Sequence, residues 1–275
     1  MARTLYVTDL DGTLLNAQGL LSERAAASLA GLAARGVLVT CATARSWTST
    51  SRVIGPVLSQ PAVVHNGAAT VDPRTGRFLD CHYLAPDVVD TVIDACATAG
   101  VTPLIHAIDD NHELTAWLDE RTSETIANYW ADRAGDPRSS PRRSFAELPR
   151  TGVLGAAILA SPEMIEKAAT ALEQRLGGAG SVMVRQDTYR SGTGWLEVTA
   201  TAASKGAGVL AIAERTGAER IVVFGDDVND ESMFEIADES YAVTDAIESL
   251  RARADGVIGS NTDDAVVRWL ETYGV

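Results

Sequence analysis

The chain has 275 residues, 46% of them hydrophobic, enough to bury a sizeable core in one large or two ordinary domains. Its formal net charge of -14 argues against a nucleic-acid partner, which would require a basic stripe, and no apolar run has the length that a membrane-spanning helix needs. Cys41, Cys81 and Cys96 are odd in number, widely spaced and in no metal-ligand pattern, which points to reduced thiols in the cytoplasm.

Met1-Ala2-Arg3-Thr4 leads directly into a strand at about 4–9, so removal of a leader of ordinary length would take the first motif with it, and no secretory signal is expected. The apolar run Leu5-Tyr6-Val7 ends in Asp9-Leu10-Asp11-Gly12-Thr13. Residues two apart on a strand share a face, so Asp9 and Asp11 can address one reacting group. One carboxylate can attack a phosphoryl group while the other handles protons, which splits a hard hydrolysis into two steps through an aspartyl-phosphate. Gly12 permits a sharp turn after the strand, and Thr13 can satisfy the backbone that follows. Ser22 can cap a helix at about 22–35, with no Glu three residues on to complete a capping box.

A second strand, at about 37–41, ends in Thr40-Cys41-Ala42-Thr43-Ala44-Arg45. Here Thr43 offers a hydroxyl to a phosphoryl oxygen and Arg45 a fork-shaped cation. A third, at about 61–65, runs into His65-Asn66-Gly67-Ala68. The middle of the chain reads as an α+β module, with helices at about 86–99 and 162–176, helical residues near 118–131, and strands at 102–108, 153–160 and 181–186. Within it Asp136-Pro137-Arg138-Ser139-Ser140-Pro141-Arg142-Arg143 reads as a mobile loop whose arginines could meet an anionic substrate. His106 and His112 flank Asp109-Asp110 without the spacing of a structural zinc site, and Trp117, Trp130 and Trp195 suit either a core or a substrate face.

Lys205, in Ala203-Ser204-Lys205-Gly206, opens a helix at about 204–216 and could hold the charge that develops on a transferred group. A fourth strand, at about 220–224, ends in Gly225-Asp226-Asp227-Val228-Asn229-Asp230, a set of hard oxygen ligands suited to magnesium. Helices at about 229–237 and 263–272 follow. Asp9 and Asp11 alone would repel a phosphate dianion, so the lysine and a metal are both needed. Short apolar runs with polar motifs at their C-terminal ends are the pattern of a parallel sheet that binds ligand at that edge.

In this order D-L-D-G-T-L, T-A-R-S, V-V-H-N-G-A, S-K-G and G-D-D-V-N-D-E-S-M resemble the haloacid dehalogenase-like (HAD) hydrolase superfamily, and within it the Cof-type capped phosphatases of subfamily IIB. The resemblance covers roughly 3–80 and 190–271. It implies an α/β fold: a doubly wound, Rossmann-like parallel-sheet core from 1–80 and 191–275, with an inserted α+β cap domain at 81–190 that closes over the substrate. It also implies that Asp9 is the nucleophile and a magnesium ligand. Asp11 would be the general acid and base and lend its backbone carbonyl to the metal. Asp226 would complete the metal site, with Asp230 beside it. Thr43 would bind the phosphoryl group, Lys205 would neutralise Asp9 and the transferring oxygens, and Asn229 would orient a phosphoryl oxygen or the lysine. Gly12, Ala44, Asn66 and Gly67 would edge the phosphate pocket, with Arg45 directed to the substrate side.

The chain departs from the family pattern at Ala44, where Gly is common, at Val243-Thr244-Asp245-Ala246, where Gly-Asn-Ala is usual, and at Ala265, another frequent Gly. These departures read as changes in substrate fit. The implied activity is magnesium-dependent hydrolysis of a small phosphorylated metabolite, a sugar phosphate foremost, by a monomer or homodimer. Two alternatives stand beside it. A sugar phosphomutase using the same aspartates would depend on a bisphosphate activator, and a non-catalytic regulator would bind a phosphometabolite without releasing phosphate.

Overall fold

The structure, a computed structural model, describes residues 2–186 and 192–274. The chain divides into two compact units, Met1–Asp80 with Ala203–Val275, and Cys81–Ala202. From the N-terminus the first unit contributes β1 (Thr4–Thr8), α1 (Glu23–Ala34), β2 (Leu38–Cys41), α2 (Trp47–Val53) and the small sheet of β3 (Ala62–Val64), β4 (Ala69–Val71) and β5 (Phe78–Cys81). The second unit supplies α3 (Pro86–Ala99), β6 (Leu104–Asp109), β7 (His112–Leu118), α4 (Glu124–Ala131), β8 (Ser139–Arg142), β9 (Val153–Ala160), α5 (Pro162–Leu176), β10 (Ser181–Gln186) and β11 (Gly194–Thr199). The chain returns to the first unit with α6 (Lys205–Thr216), β12 (Arg220–Gly225), α7 (Glu231–Phe234), β13 (Glu239–Ala242), α8 (Glu248–Arg253), β14 (Gly256–Val257) and α9 (Ala265–Tyr273).

The main sheet of the first unit runs β14-β13-β12-β1-β2, every neighbouring pair parallel. Alternation along its strands explains why they are apolar throughout. Tyr6, Val39, Val222 and Phe224 pack with Leu29 and Leu32 of α1 and Val266 and Leu270 of α9. Leu5, Val7, Leu38, Ile221 and Val223 turn to the opposite face, against Val209 and Ile212 of α6 and Met233 of α7. Both faces are covered, and each such side chain stabilises the fold by roughly 1.5–3 kcal/mol over its exposed state. An isolated parallel bridge between Ala42 and Val63 sets the end of β3 beside the end of β2.

The second unit is built on a sheet ordered β10-β11-β9-β6-β7-β8, antiparallel except for the β7–β8 pair. Its one face carries Ile105, Ala116, Ile158 and Leu196 against α3 and α5. On the other, Trp117 and Leu159 pack with Ile126 and Tyr129 of α4, and Trp117 stacks on Trp130 with ring centroids 4.5 Å apart. Trp117 is therefore core.

Several sequence expectations change here. The expected boundary at 190/191 lies outside the described residues, and the division falls after Ala202 instead, because β11 belongs to the second unit's sheet between β10 and β9. Helical residues were expected from 118, yet Leu118 ends β7 and the helix begins at Glu124, capped by Ser123 accepting from Ile126 N. The expected loop at 136–143 contains the edge strand β8, where Pro141, lacking an N–H, is tolerated. Arg138 is buried in a bidentate pair with Asp136, so it is not an open anion ligand. The helix expected at 229–237 is a single 3-10 turn, Val228–Asp230, followed by the short α7. Among the described residues no helix is long and apolar enough to cross a membrane.

Candidate active site

Parallel pairing aligns the C-terminal ends of β1, β2 and β12: Thr8 lies opposite both Cys41 and Phe224. Asp9 N continues the ladder by donating to Phe224 O at 2.9 Å. Asp9 thus leaves β1 beside the loop that carries Asp226. Ser204 caps α6 by accepting from Ala207 N, which places Lys205 in the first turn with its side chain turned inward. Its Nζ donates to Asp9 Oδ1 and to Asp230 Oδ1, each at 2.6 Å, and all three residues are buried. The second oxygen of Asp230 accepts from Asp226 N at 2.8 Å and Asp227 N at 3.1 Å, so this aspartate ties the lysine to the loop after β12. Thr13 Oγ1 donates to Asp226 Oδ1 at 2.6 Å. Gly12, at φ +86°, makes that approach feasible, since a Cβ there would stand 2.3 Å from Asp226 Oδ2.

The electrostatics of the cluster are unbalanced. Ligand oxygens of Asp9, Asp226 and Asp230 all lie within 4.8 Å of one another. Burial pushes the Asp9 carboxyl well above the usual carboxylate range; Lys205 opposes the shift, and Asp230 and Asp11 reinforce it. Asp226 is raised by burial and then by Asp9 and Asp230. Burial disfavours the Lys205 charge, yet Asp230 and Asp9 outweigh it and hold the ammonium protonated. One lysine facing this group of carboxylates leaves an excess of negative charge on hard oxygen donors, which fits a small divalent cation such as magnesium. Among the described residues this is the only grouping of His, Cys, Asp and Glu that could hold a metal, so His106 and His112 form no such site. His106 Nδ1 instead meets Thr115 Oγ1 at 3.0 Å.

The loops after β2 and β3 are laced together. Thr43 N donates to Val63 O, Asn66 N donates to Thr43 O, and His65 N donates to Arg45 O. The Thr43 hydroxyl accepts from Arg45 N at 3.1 Å. His65, Asn66 and Gly67 follow one another at φ +50°, +53° and +91°, a run of left-handed residues that turns the chain back toward α6. Gly67 is required there, because a Cβ would fall 1.9 Å from Ser204 O. Ala44 is outside the left-handed region, so the turn it occupies has no need of the family's glycine.

Two side chains go elsewhere than the sequence suggests. Asn229 Nδ2 donates to Asn66 Oδ1 at 2.9 Å, bonding the third motif loop and not the lysine. Arg45 forks onto Asp11, Nε to Oδ2 at 2.7 Å and Nη2 to Oδ1 at 2.5 Å. Asp11 accordingly stands apart from the carboxylate cluster. Sequence reasoning also missed Thr13 and Ser204 as organisers of the site. Their positions, next to Gly12 and directly before Lys205, carry the only local signal for either role.

Comparison with known proteins gives a consistent picture. The model of the haloacid dehalogenase-like hydrolases matches residues 6–270. The chain is similar to the 5-amino-6-(5-phospho-D-ribitylamino)uracil phosphatase YitU of Bacillus subtilis, 27% identical, with 98% of this chain and 97% of the relative covered. It is also similar to the crystal structure of TM0651 from Thermotoga maritima, at TM-score 0.81 and 26% identity, covering 100% of this chain and 98% of that one. The HAD subclass IIB sugar phosphatase BT4131 shares the fold at TM-score 0.78 and 18% identity, with 98% of this chain and 99% of that one covered.

Proposed function

The chain belongs to the haloacid dehalogenase-like hydrolases and is a phosphatase of their Cof type, and from that premise we propose that it hydrolyses a small phosphorylated metabolite, a sugar phosphate, through a phosphoryl group carried on Asp9. The observation that carries this reading is the buried Lys205 bridging Asp9 and Asp230 next to Asp226. A carboxylate held in a fixed rotamer by a lysine at the end of a strand is suited to attack, and the lysine then faces the charge that builds on the transferring oxygens.

In the first step an Asp9 oxygen forms a bond to phosphorus while the phosphorus–oxygen bond to the leaving group breaks and Asp11 gives that oxygen its proton. In the second, water attacks the same phosphorus and passes a proton to Asp11. The bond to Asp9 then breaks and inorganic phosphate departs. Lys205 stays protonated throughout and keeps Asp9 aligned. Gly12, Thr43, Ala44, Asn66 and Gly67 form the loop rim that receives the phosphate, and Asn229 acts there through its bond to Asn66. Asp9, Asp226 and the Asp11 carbonyl, with Asp230 behind them, would hold magnesium, which when bound would offset the phosphoryl charge. The Bacillus relative, named for a substrate that bears its phosphate on a ribityl chain, supports a phosphorylated sugar-like ligand.

Phosphate release from a panel of small phosphomonoesters with magnesium, wild type against Asp9→Asn, tests the reading. Asp9→Asn is expected to lose ~10³-fold or more of the turnover. Wild-type rates in that variant would overturn it.

A further inference from the structure

We propose that Arg45 is the positioning residue for Asp11, and that its clamp on this carboxylate sets how well the leaving group is protonated. The inference rests on the reading of Asp11 as the general acid.

Asp11 sits in a loop with no regular conformation: its φ and ψ are −76° and 118°, and Gly12 follows at φ +86°. Arg45 places Nε and Nη2 on the two carboxylate oxygens, a planar fork that fixes both the direction and the plane of the carboxyl group. The clamp itself has a rigid base. Arg45 N donates to Thr43 Oγ1 and Arg45 O accepts from His65 N at 2.9 Å, so the backbone is pinned on both sides. Arg45 Nη2 also reaches Gly19 O at 3.5 Å, on the chain segment that follows the Asp11 loop. The guanidinium therefore couples the loop after β2 to the loop after β1.

The pair is at the rim and not in the core, with side chains 17% and 22% exposed, so its bonds can open without exposing a buried charge. Proton delivery requires one Asp11 oxygen to leave its Arg45 donor, take up a proton from solvent water and face the leaving oxygen. The second bond persists and keeps the carboxyl on target. As the phosphorus–oxygen bond breaks and the bond to Asp9 forms, the proton passes from that freed Asp11 oxygen to the departing alkoxide. Arg45 makes no contact with the reacting atoms in this scheme. A direct phosphate ligand at this position would act differently, lowering turnover for every ester alike.

The test is kcat/KM, which reports steps up to formation of the phospho-enzyme, for an alkyl phosphate and for p-nitrophenyl phosphate, whose leaving group needs no proton. Arg45→Gln is expected to lose about 10- to 100-fold more on the alkyl than on the aryl ester, within the range of a general-acid contribution. Asp11→Asn should show the same bias more strongly, and Arg45→Gln added to Asp11→Asn should cost no further selectivity. Arg45→Lys, which can make one of the two bonds, should recover part of the alkyl rate. Thermal midpoints of the four variants separate misfolding from the kinetic effect, and Arg45→Lys serves as the probe should Arg45→Gln not fold. An equal loss on both esters, with a raised KM, overturns the proposal and makes Arg45 a phosphate ligand. An Asp11→Asn enzyme without leaving-group bias overturns both the proposal and the role of Asp11 beneath it. The bias in Asp11→Asn but not in Arg45→Gln or Arg45→Lys overturns the proposal alone.

Discussion

Buried ionisable side chains give the first unit its chemistry and a liability. Lys205, 1% exposed, can be charged there only because Asp9 and Asp230 accept from it, and removal of one member of such a group typically costs about 3–5 kcal/mol by leaving a buried charge uncompensated. The lysine therefore supports the fold as well as the proposed reaction. Cys41, at the end of β2, shows the other side of this environment. Burial, reinforced by Asp9, pushes its thiol up to about 12, and burial alone does the same to Cys96. Both groups keep their protons in the folded state at a pH where the unfolded chain, near 9, has begun to lose them. Stability is thus expected to fall as pH rises from about 9 toward 12. Peptide mapping after alkylation at pH 8 should find Cys81, which is half-buried, modified well before Cys41 and Cys96. Rapid labelling of Cys41 in the native protein would contradict this account.

Among the elements, the contact between the His65–Gly67 turn and the N-terminus of α6 sets the position of Lys205. Gly67 packs directly on Ser204 O, and Asn66 is fixed by Asn229 from the loop after β12. Gly67→Ala would combine a left-handed φ with a Cβ inside the van der Waals radius of that carbonyl. It is expected to lower stability by about 1–3 kcal/mol and to reduce turnover by shifting α6, readable as a lower denaturation midpoint together with a lower kcat. A variant with unchanged stability and rate would show that α6 is held by other contacts. The sheet beneath supplies the rigidity against which such shifts register, because both faces of β1 and β12 are packed and neither strand can slide without flipping its core side chains.

For the molecule as a whole, charge is the dominant variable. With a net charge of -14 and buried aspartates gathered in the first unit, the proposed metal site would let the folded state gain from a bound divalent cation, while the unfolded chain has no comparable site. Magnesium at 100 times its dissociation constant is expected to stabilise the protein by about 2.7 kcal/mol, seen as a rise in thermal midpoint that EDTA reverses. The same chelation should abolish phosphate release, with magnesium restoring it. An Asp226→Asn variant should lose most of the midpoint shift. A midpoint indifferent to magnesium in the wild type would refute the assignment of these aspartates to a metal.

The strand ends that carry polar motifs, and the order of the main elements around them, were readable from the residues, because a parallel sheet buried on both faces leaves short apolar runs that stop at polar motifs. Asp9, Asp226 and Lys205 were legible for that reason: each sits at a fixed place, just past a strand or at a helix start. β8 and β11 left no such trace. β8 carries a proline and polar residues, and β11 belongs to the second unit only through its pairing with β9 and β10, a long-range register that no local pattern encodes. Where the polar side chains of the candidate site point depends on long-range contacts. Arg45 turns to Asp11, and Asn229 to Asn66, because a side chain's partner is chosen by loops brought together from distant parts of the chain, whereas a backbone position at a strand end is set by neighbours a few residues away.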